Sequence, residues 1–327
     1  MKNNYFIAAL LTAILITGCA GPKVNFFNTV PDPLKEYTLE GTGSDKVLLI
    51  SVSGMISDSP KKDIISTSPS LVEEVVAQIN KAAQDKKIKA IVFKVNSPGG
   101  TITASDILYH EISVYKEKTG VKIAISMMDV AASGAYYISL PADFIMAHPT
   151  TITGSVGVIS LQPKVGGLME KIGLGVAVQK FGKHKDMGSP FRESSPEEQI
   201  LLQKTVNDFG ERFIGLVKKH RKLTPTALAE VSTARIFLAD EALQLGLIDK
   251  IGYISDTLKE TKKLAGISEN ARVIVYRRME FPEDNFYNNA EAAYGKFNVP
   301  IINLELPDSF HLKAGFYYLW PGAVSAD

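Results

Sequence analysis

The 327-residue chain has one cysteine, one tryptophan and no surplus of either charge. A lone thiol excludes an intramolecular disulfide framework and any zinc site built on cysteines. Lysine and arginine number 36 against 35 acidic residues. No basic excess is therefore available for binding nucleic acid by counterion release, and no acidic run marks a solvating tail. The N-terminal apolar run, Tyr5 to Thr17, has 13 residues, short of the ~20 that cross a bilayer comfortably. What is present is ordinary globular composition, 45% hydrophobic and 22% charged. It excludes collagen-like, disordered and polytopic membrane classes. The length suits about two domains, or one with elaborations.

The single cysteine is informative by its position. Lys2 and the amino terminus precede the apolar run, which ends in Ile16-Thr17-Gly18-Cys19. This pattern resembles a bacterial lipobox, in which small residues precede the scissile bond and the thiol takes the lipid. The alternative is an uncleaved anchor helix with an incidental buried cysteine. Cleavage before Cys19 removes Lys2 and no acid, leaving 35 residues of each sign. Anchoring would then rest on acyl chains, not on a polybasic patch. The expected location is the bacterial envelope, facing the periplasm or the exterior. Ala20, standing where an Asp usually marks inner-membrane retention in Gram-negative lipoproteins, leans by analogy toward the outer membrane.

Past residue 19 the pattern divides the chain. Residues 20–45 are rich in Pro, Asn, Gly and Thr without a sustained period, so 1–18 reads as a signal segment and 19–45 as a tether. Lys46 to Ile56 is strand-like. Ser70-Leu71-Val72-Glu73 is a capping box opening a helix to about Asp85. Ile88 to Val95 reads as a buried parallel strand, broken by Asn96-Ser97-Pro98-Gly99-Gly100. A helix follows to about Lys118, with Gly120 closing it. Val121 to Met127 is a strand, Ala131 to Leu140 a short helix, and Phe144 to Ala147 a strand. A long helix fits Pro196 to about His220, and Thr224-Pro225 starts another. Helical segments near Asp240–Leu245 and Ser255–Leu264 precede a strand at Ala271–Tyr276. This alternation implies an α/β fold with a mostly parallel sheet and flanking helices over residues 46–278. Residues 279–327 form a C-terminal extension, aromatic and proline-containing, to which the pattern assigns no role.

Three segments could carry chemistry. Ser97-Pro98-Gly99-Gly100 joins a strand to a helix, and its glycines let backbone N–H groups approach a ligand closely, as an oxyanion hole requires. It is equally a plain tight turn. Ser133 lies among small residues at a helix start, in Val130 to Tyr137, where developing negative charge is favoured; it is equally an N-cap in a crowded contact. A serine nucleophile needs a base. None of His110, His148, His184, His220 and His311 lies in an evident triad motif. His184 and Lys185 share the stretch Gly182-Lys183-His184-Lys185-Asp186, and a lysine serves as base only when burial lowers its pKa from about 10.4. The same stretch also reads as a solvated charged loop.

The strand ending in SPGG, then AASGAYY, then TGSVGVI (Thr153 to Ile159), then GKHKD with SPFRE, resembles the signal peptide peptidase A family of serine–lysine peptidases. Arg235 to Gly252 is similar to that family's later helical stretch. The resemblance spans roughly Val47 to Gly252. It implies the crotonase-like, Clp-protease-like α/β superfold. It implies Ser133 as nucleophile, Lys185 as general base, Ser155 as the residue orienting that lysine, and Gly100 and Gly134 as oxyanion donors. It further implies peptide substrates, apolar ones such as spent signal peptides, assembly into a homo-oligomeric ring or bowl, and no metal or organic cofactor. The chain departs from the family at Ala135, where a second glycine usually follows the nucleophile. If that glycine serves a positive φ, Ala135 would strain the site. The expected activity is a membrane-anchored, extracytoplasmic serine endopeptidase. Its rivals are an inactive lipoprotein scaffold of the same fold and a crotonase-type acyl-CoA enzyme.

Overall fold

Contiguous runs of branched and aromatic side chains build the centre of the molecule. The computed structural model describes residues 33–62, 67–281, 283–288 and 314–323. The signal segment, Cys19 and His311 lie outside them. In chain order the strands are β1 (Lys35–Glu40), β2 (Lys46–Ser53), the two-residue pair β3 (Lys61–Lys62) and β4 (Thr67–Ser68), β5 (Ile88–Ser97), β6 (Gly99–Thr101) and β7 (Lys122–Ala132). They continue with β8 (Phe144–Ala147), β9 (Ile152–Gly154), β10 (Ile159–Leu161), β11 (Ile236–Leu238), β12 (Lys250–Ile251), β13 (Arg272–Arg277) and β14 (Gly315–Leu319). The helices are α1 (Leu71–Ala82), α2 (Ile102–Thr119), α3 (Gly134–Ser139), α4 (Gly166–Lys171), α5 (Pro196–His220), α6 (Pro225–Val231), α7 (Ala239–Gln244) and α8 (Ile254–Leu264).

The main sheet runs β1-β13-β2-β5-β7-β8-β12, with β9 beside β7 and β11 beside β9. All its pairings are parallel except β1 with β13 and β9 with β11. β2, β5 and β7 are buried on both faces, which is why their sequences read as near-continuous apolar runs. Leu48, Ile50, Ile91, Phe93, Ile123 and Ile125 pack with helix residues such as Val75, Ile79, Leu108 and Ile112. Local chemistry sets the helix ends as expected. Ser70 Oγ accepts from Glu73 N at 3.1 Å while Glu73 accepts from Ser70 N at 2.7 Å. Ser195 and Glu198 repeat this box around Pro196, the first helical residue. Gly120 ends α2 at φ 68°.

Three readings are corrected. The tether does not extend to residue 45, because Lys35–Glu40 forms β1 against β13, Tyr37 facing Val275. Tyr37 and Leu39 are half-buried while their neighbours are exposed, a period-two signal too short to stand out in a polar stretch. The helix expected from Ala131 starts at Gly134, because Val130, Ala131 and Ala132 pair with Ile152, Thr153 and Gly154 and so remain strand. Gly99 and Gly100 are more than a break: they form β6. The C-terminal extension contributes β14, the middle strand of a separate sheet ordered β10-β14-β6. Among the described residues no helix is long and apolar enough to cross a membrane.

Candidate active site

Ser133 sits where β7 ends and α3 begins, and the two elements leave it a left-handed backbone, φ 55° and ψ −115°. A non-glycine residue held there costs on the order of 1–3 kcal/mol. Two hydrogen bonds fix it: Ser133 N donates to Gly154 O at 2.8 Å, and Tyr137 N donates to Ser133 O at 2.9 Å. The residue is 1% exposed. Its Oγ is buried and has no hydrogen-bond partner among the described residues. Leaving a buried hydroxyl unpaired costs about 1–3 kcal/mol. Strain and desolvation thus converge on one side chain.

Gly100 lies beside it. Ile56 N donates to Gly99 O at 2.8 Å and Thr101 N donates to Ile56 O at 3.0 Å. Because strand N–H and C=O groups alternate in direction, Gly100 turns its own pair toward the opposite edge. A Cβ on Gly100 would lie 1.9 Å from Ile56 O, so only glycine fits. A Cβ on Gly134 would lie 3.2 Å from Gly100 N, and one on Gly99 would lie 2.7 Å from Gly134 N. The amides of Gly100 and Gly134 therefore flank one small region. Ala135 is helical and has no positive φ, so the strain expected there does not arise.

Ser155 lies on the turn that holds Ser133, and Lys185 lies on a separate one. Ser155 is buried and also left-handed, at φ 50°, with its N–H given to Arg235 O at 2.9 Å. It follows Gly154, which accepts the Ser133 N–H. Lys185 lies on an exposed turn, its N–H on Gly182 O at 3.3 Å. Neither side chain hydrogen-bonds to Ser133. The Lys185 turn is nonetheless built. Asp186 takes Arg192 Nε at 2.9 Å, and Arg192 Nη2 reaches Glu198 Oε1 at 2.6 Å, at the capped start of α5. Arg192 holds Asp186 well below the usual carboxylate range and lowers Glu198 to about 2. Lys180 also pairs with Asp186. These anchors were not singled out in the sequence; Arg192 and Asp186 entered only as members of SPFRE and GKHKD, and Glu198 not at all. Beside the turn a run of apolar side chains faces outward, with Leu168, Ile172, Leu174 and Phe181 exposed, Phe181 fully.

Three of the four described histidines are engaged elsewhere. His184 Nε2 is 3.3 Å from Glu197, His148 bonds Thr150 at 2.8 Å, and His220 bonds the Tyr109 hydroxyl at 2.8 Å, with burial lowering its pKa. None reaches Ser133 Oγ.

Two family models match the chain: peptidase family S49 over residues 115–268, and Clp protease over residues 64–160. A protein of Enterococcus faecium assigned as a signal peptide peptidase SppA is 36% identical over 245 residues, 75% of this chain and 71% of the relative. The chain belongs to the S49 peptidases. A protein of Synechocystis assigned as a protease is 34% identical, over 68% of this chain and 75% of its own. Protease 4 of Haemophilus influenzae is 29% identical over 80% of this chain but only 41% of its own length. As an S49 member the protein is a serine peptidase with peptide substrates, and its mostly parallel sheet with flanking helices is the Clp-protease-like architecture.

Proposed function

We propose that this S49 peptidase is a lipid-anchored endopeptidase of the cell envelope that cuts apolar peptides, such as spent signal peptides, with a Ser133–Lys185 dyad. The observation that carries the reading is the buried Ser133 Oγ, unpaired on a left-handed turn beside the amides of Gly100 and Gly134. Ser133 Oγ attacks the peptide carbonyl, forming the C–O bond, and its proton passes to neutral Lys185 Nζ. The oxyanion takes the two amides. The C–N bond then breaks and Lys185 returns the proton to the leaving amine. A water, deprotonated by the same lysine, releases the acyl group from Ser133.

In this reading the base comes from a neighbouring subunit. Lys185 is exposed and remote from any hydrogen bond to Ser133, on a turn braced by Asp186, Arg192 and Glu198 and bordered by exposed apolar side chains. A head-to-tail contact would cover those side chains, bury the lysine and present it to the neighbour's serine. Repeated, such a contact closes a ring. Ser155 orients the incoming ammonium group, and Cys19 carries the lipid. The test is a fluorophosphonate probe on detergent-purified protein. Labelling that maps to Ser133 and vanishes in Ser133→Ala supports the dyad; no labelling of assembled wild-type protein would favour an inactive scaffold.

A further inference from the structure

The C-terminal extension places a peptide where the reading above places a substrate. β14 lies antiparallel between β6 and β10, with Tyr317 opposite Thr101, Tyr318 opposite Gly100 and Leu319 opposite Gly99. On its other edge Tyr317 faces Ile159 and Phe316 faces Ser160. Trp320 N donates to Pro98 O at 2.9 Å. Hydrogen-bonded pairs alternate along an antiparallel ladder, so Tyr318 and Gly100 form the next bonded pair. In that pair the Gly100 N–H, the one turned away from Ile56, donates to the Tyr318 carbonyl. The same oxygen lies 2.1 Å from where a Cβ on Gly99 would be and 3.0 Å from where one on Gly134 would be. A peptide carbonyl thus sits in the region flanked by the Gly100 and Gly134 amides.

The Tyr318 side chain fills a matching pocket. It is fully buried, stacked on Tyr137 at 5.0 Å between ring centres and tilted against Phe213 at 4.9 Å. Its hydroxyl donates to Phe209 O at 3.0 Å, so its polar end is satisfied as well. An extended backbone on two sheet edges with one side chain in an aromatic pocket is how a strand-adding peptide is recognised.

We infer that residues 315–320 are a tethered occupant of the substrate cleft, which keeps the cleft closed to peptides and marks its main pocket as one for an aromatic side chain immediately before the scissile bond. The inference rests on the reading of Gly100 and Gly134 as the oxyanion site. Free peptide must displace the tail, which, being part of the same chain, competes at a local concentration on the order of millimolar. If the tail segment itself binds the empty cleft at ~0.1 mM, that local concentration weakens apparent binding of a competing peptide about tenfold.

The measurement uses the detergent-purified full chain and a chain ending at residue 313, both carrying Ser133→Ala so that nothing turns over. A fluorescent peptide of sequence GFYYLWPG is titrated by anisotropy. It should bind the shortened chain about tenfold more tightly than the full one, and a peptide with Asp at the Tyr318 position should not bind. Circular dichroism shows whether the shortened chain is folded. A second measurement needs no truncation: amide hydrogen exchange of residues 315–319 in the full chain should be slow, and should speed up when excess peptide is added. A folded shortened chain that gains no affinity, or tail amides unmoved while peptide binds, would overturn the inference. Neither readout depends on Ser133 as nucleophile, so failure of the probe labelling and failure of this inference are separately visible.

Discussion

Ser133 gives its backbone N–H to the carbonyl of Gly154 at 2.8 Å, and that bond ties the proposed nucleophile to the turn that carries Ser155. Gly154 is itself left-handed, at φ +85°, and a Cβ there would lie 2.4 Å from the Phe237 ring. Two left-handed serines, Ser133 and Ser155, are thus held across one glycine. Gly154→Ala should cost about 1–3 kcal/mol by overpacking, lowering the melting temperature by about 2–4 °C per kcal/mol. It should also lower kcat of the folded fraction, because the Ser133 turn shifts. Calorimetry together with titration of active sites separates the two effects. Unchanged melting would show that the contact with Phe237 is easily relieved.

Lys94 gives the pH dependence a defined sign. It is buried in β5, with Nζ donating to Phe286 O and Asn288 O at 2.9 Å each. Desolvation lowers its pKa from 10.5 to about 8. Below pH 8 both folded and unfolded chains hold the proton, and the folded state bears the full cost of burying the charge. Between pH 8 and 10.5 the unfolded chain binds more protons, so this group makes stability rise with pH. The gain is on the order of 2–3 kcal/mol. Urea midpoints of the wild type should rise relative to Lys94→Met between pH 7.5 and 10. A difference that is flat with pH would contradict it.

The anchor is tested at the thiol. Mass spectrometry of membrane-purified protein should find an acylated Cys19 at the N-terminus. Cys19→Ala should leave the chain unprocessed before residue 19. An unmodified thiol or an intact Met1 in the wild type would refute the lipobox reading.

Much of the fold was legible because its signals are local. Ser70 with Glu73, Ser195 with Pro196 and Glu198, and Gly120 mark helix ends within a few residues of the backbone groups they satisfy. Buried strands β2 and β5 announce themselves as apolar runs. What was missed depends on distant partners. β1 is recognisable only beside β13, more than 230 residues later, and β14 only beside Gly99–Thr101. The strand end at Ala131–Ala132 has helix-forming composition, but its pairing with Thr153 and Gly154 decides its conformation. At the candidate site, the family resemblance pointed to Ser133, Gly100 and Gly134, and these three lie together in the fold. Lys185 came with the same motifs, lies on an exposed turn and makes no hydrogen bond to the Ser133 side chain; on the proposed reading, a base drawn from another subunit leaves no intrachain contact to reveal it. Arg192 and Glu198, which brace its turn, show their role only once α5 is folded against the turn.

The dyad shared between subunits is tested most directly by mixing two inactive proteins. Ser133→Ala and Lys185→Ala should each lose orders of magnitude in kcat, whereas His184→Ala should lose little. Combined under subunit exchange in equal amounts, about a quarter of the head-to-tail contacts join an intact serine to an intact lysine. Activity should return to ~25% of wild type if the sites are independent. Background activity despite demonstrated exchange would contradict the shared dyad and place both residues in one chain.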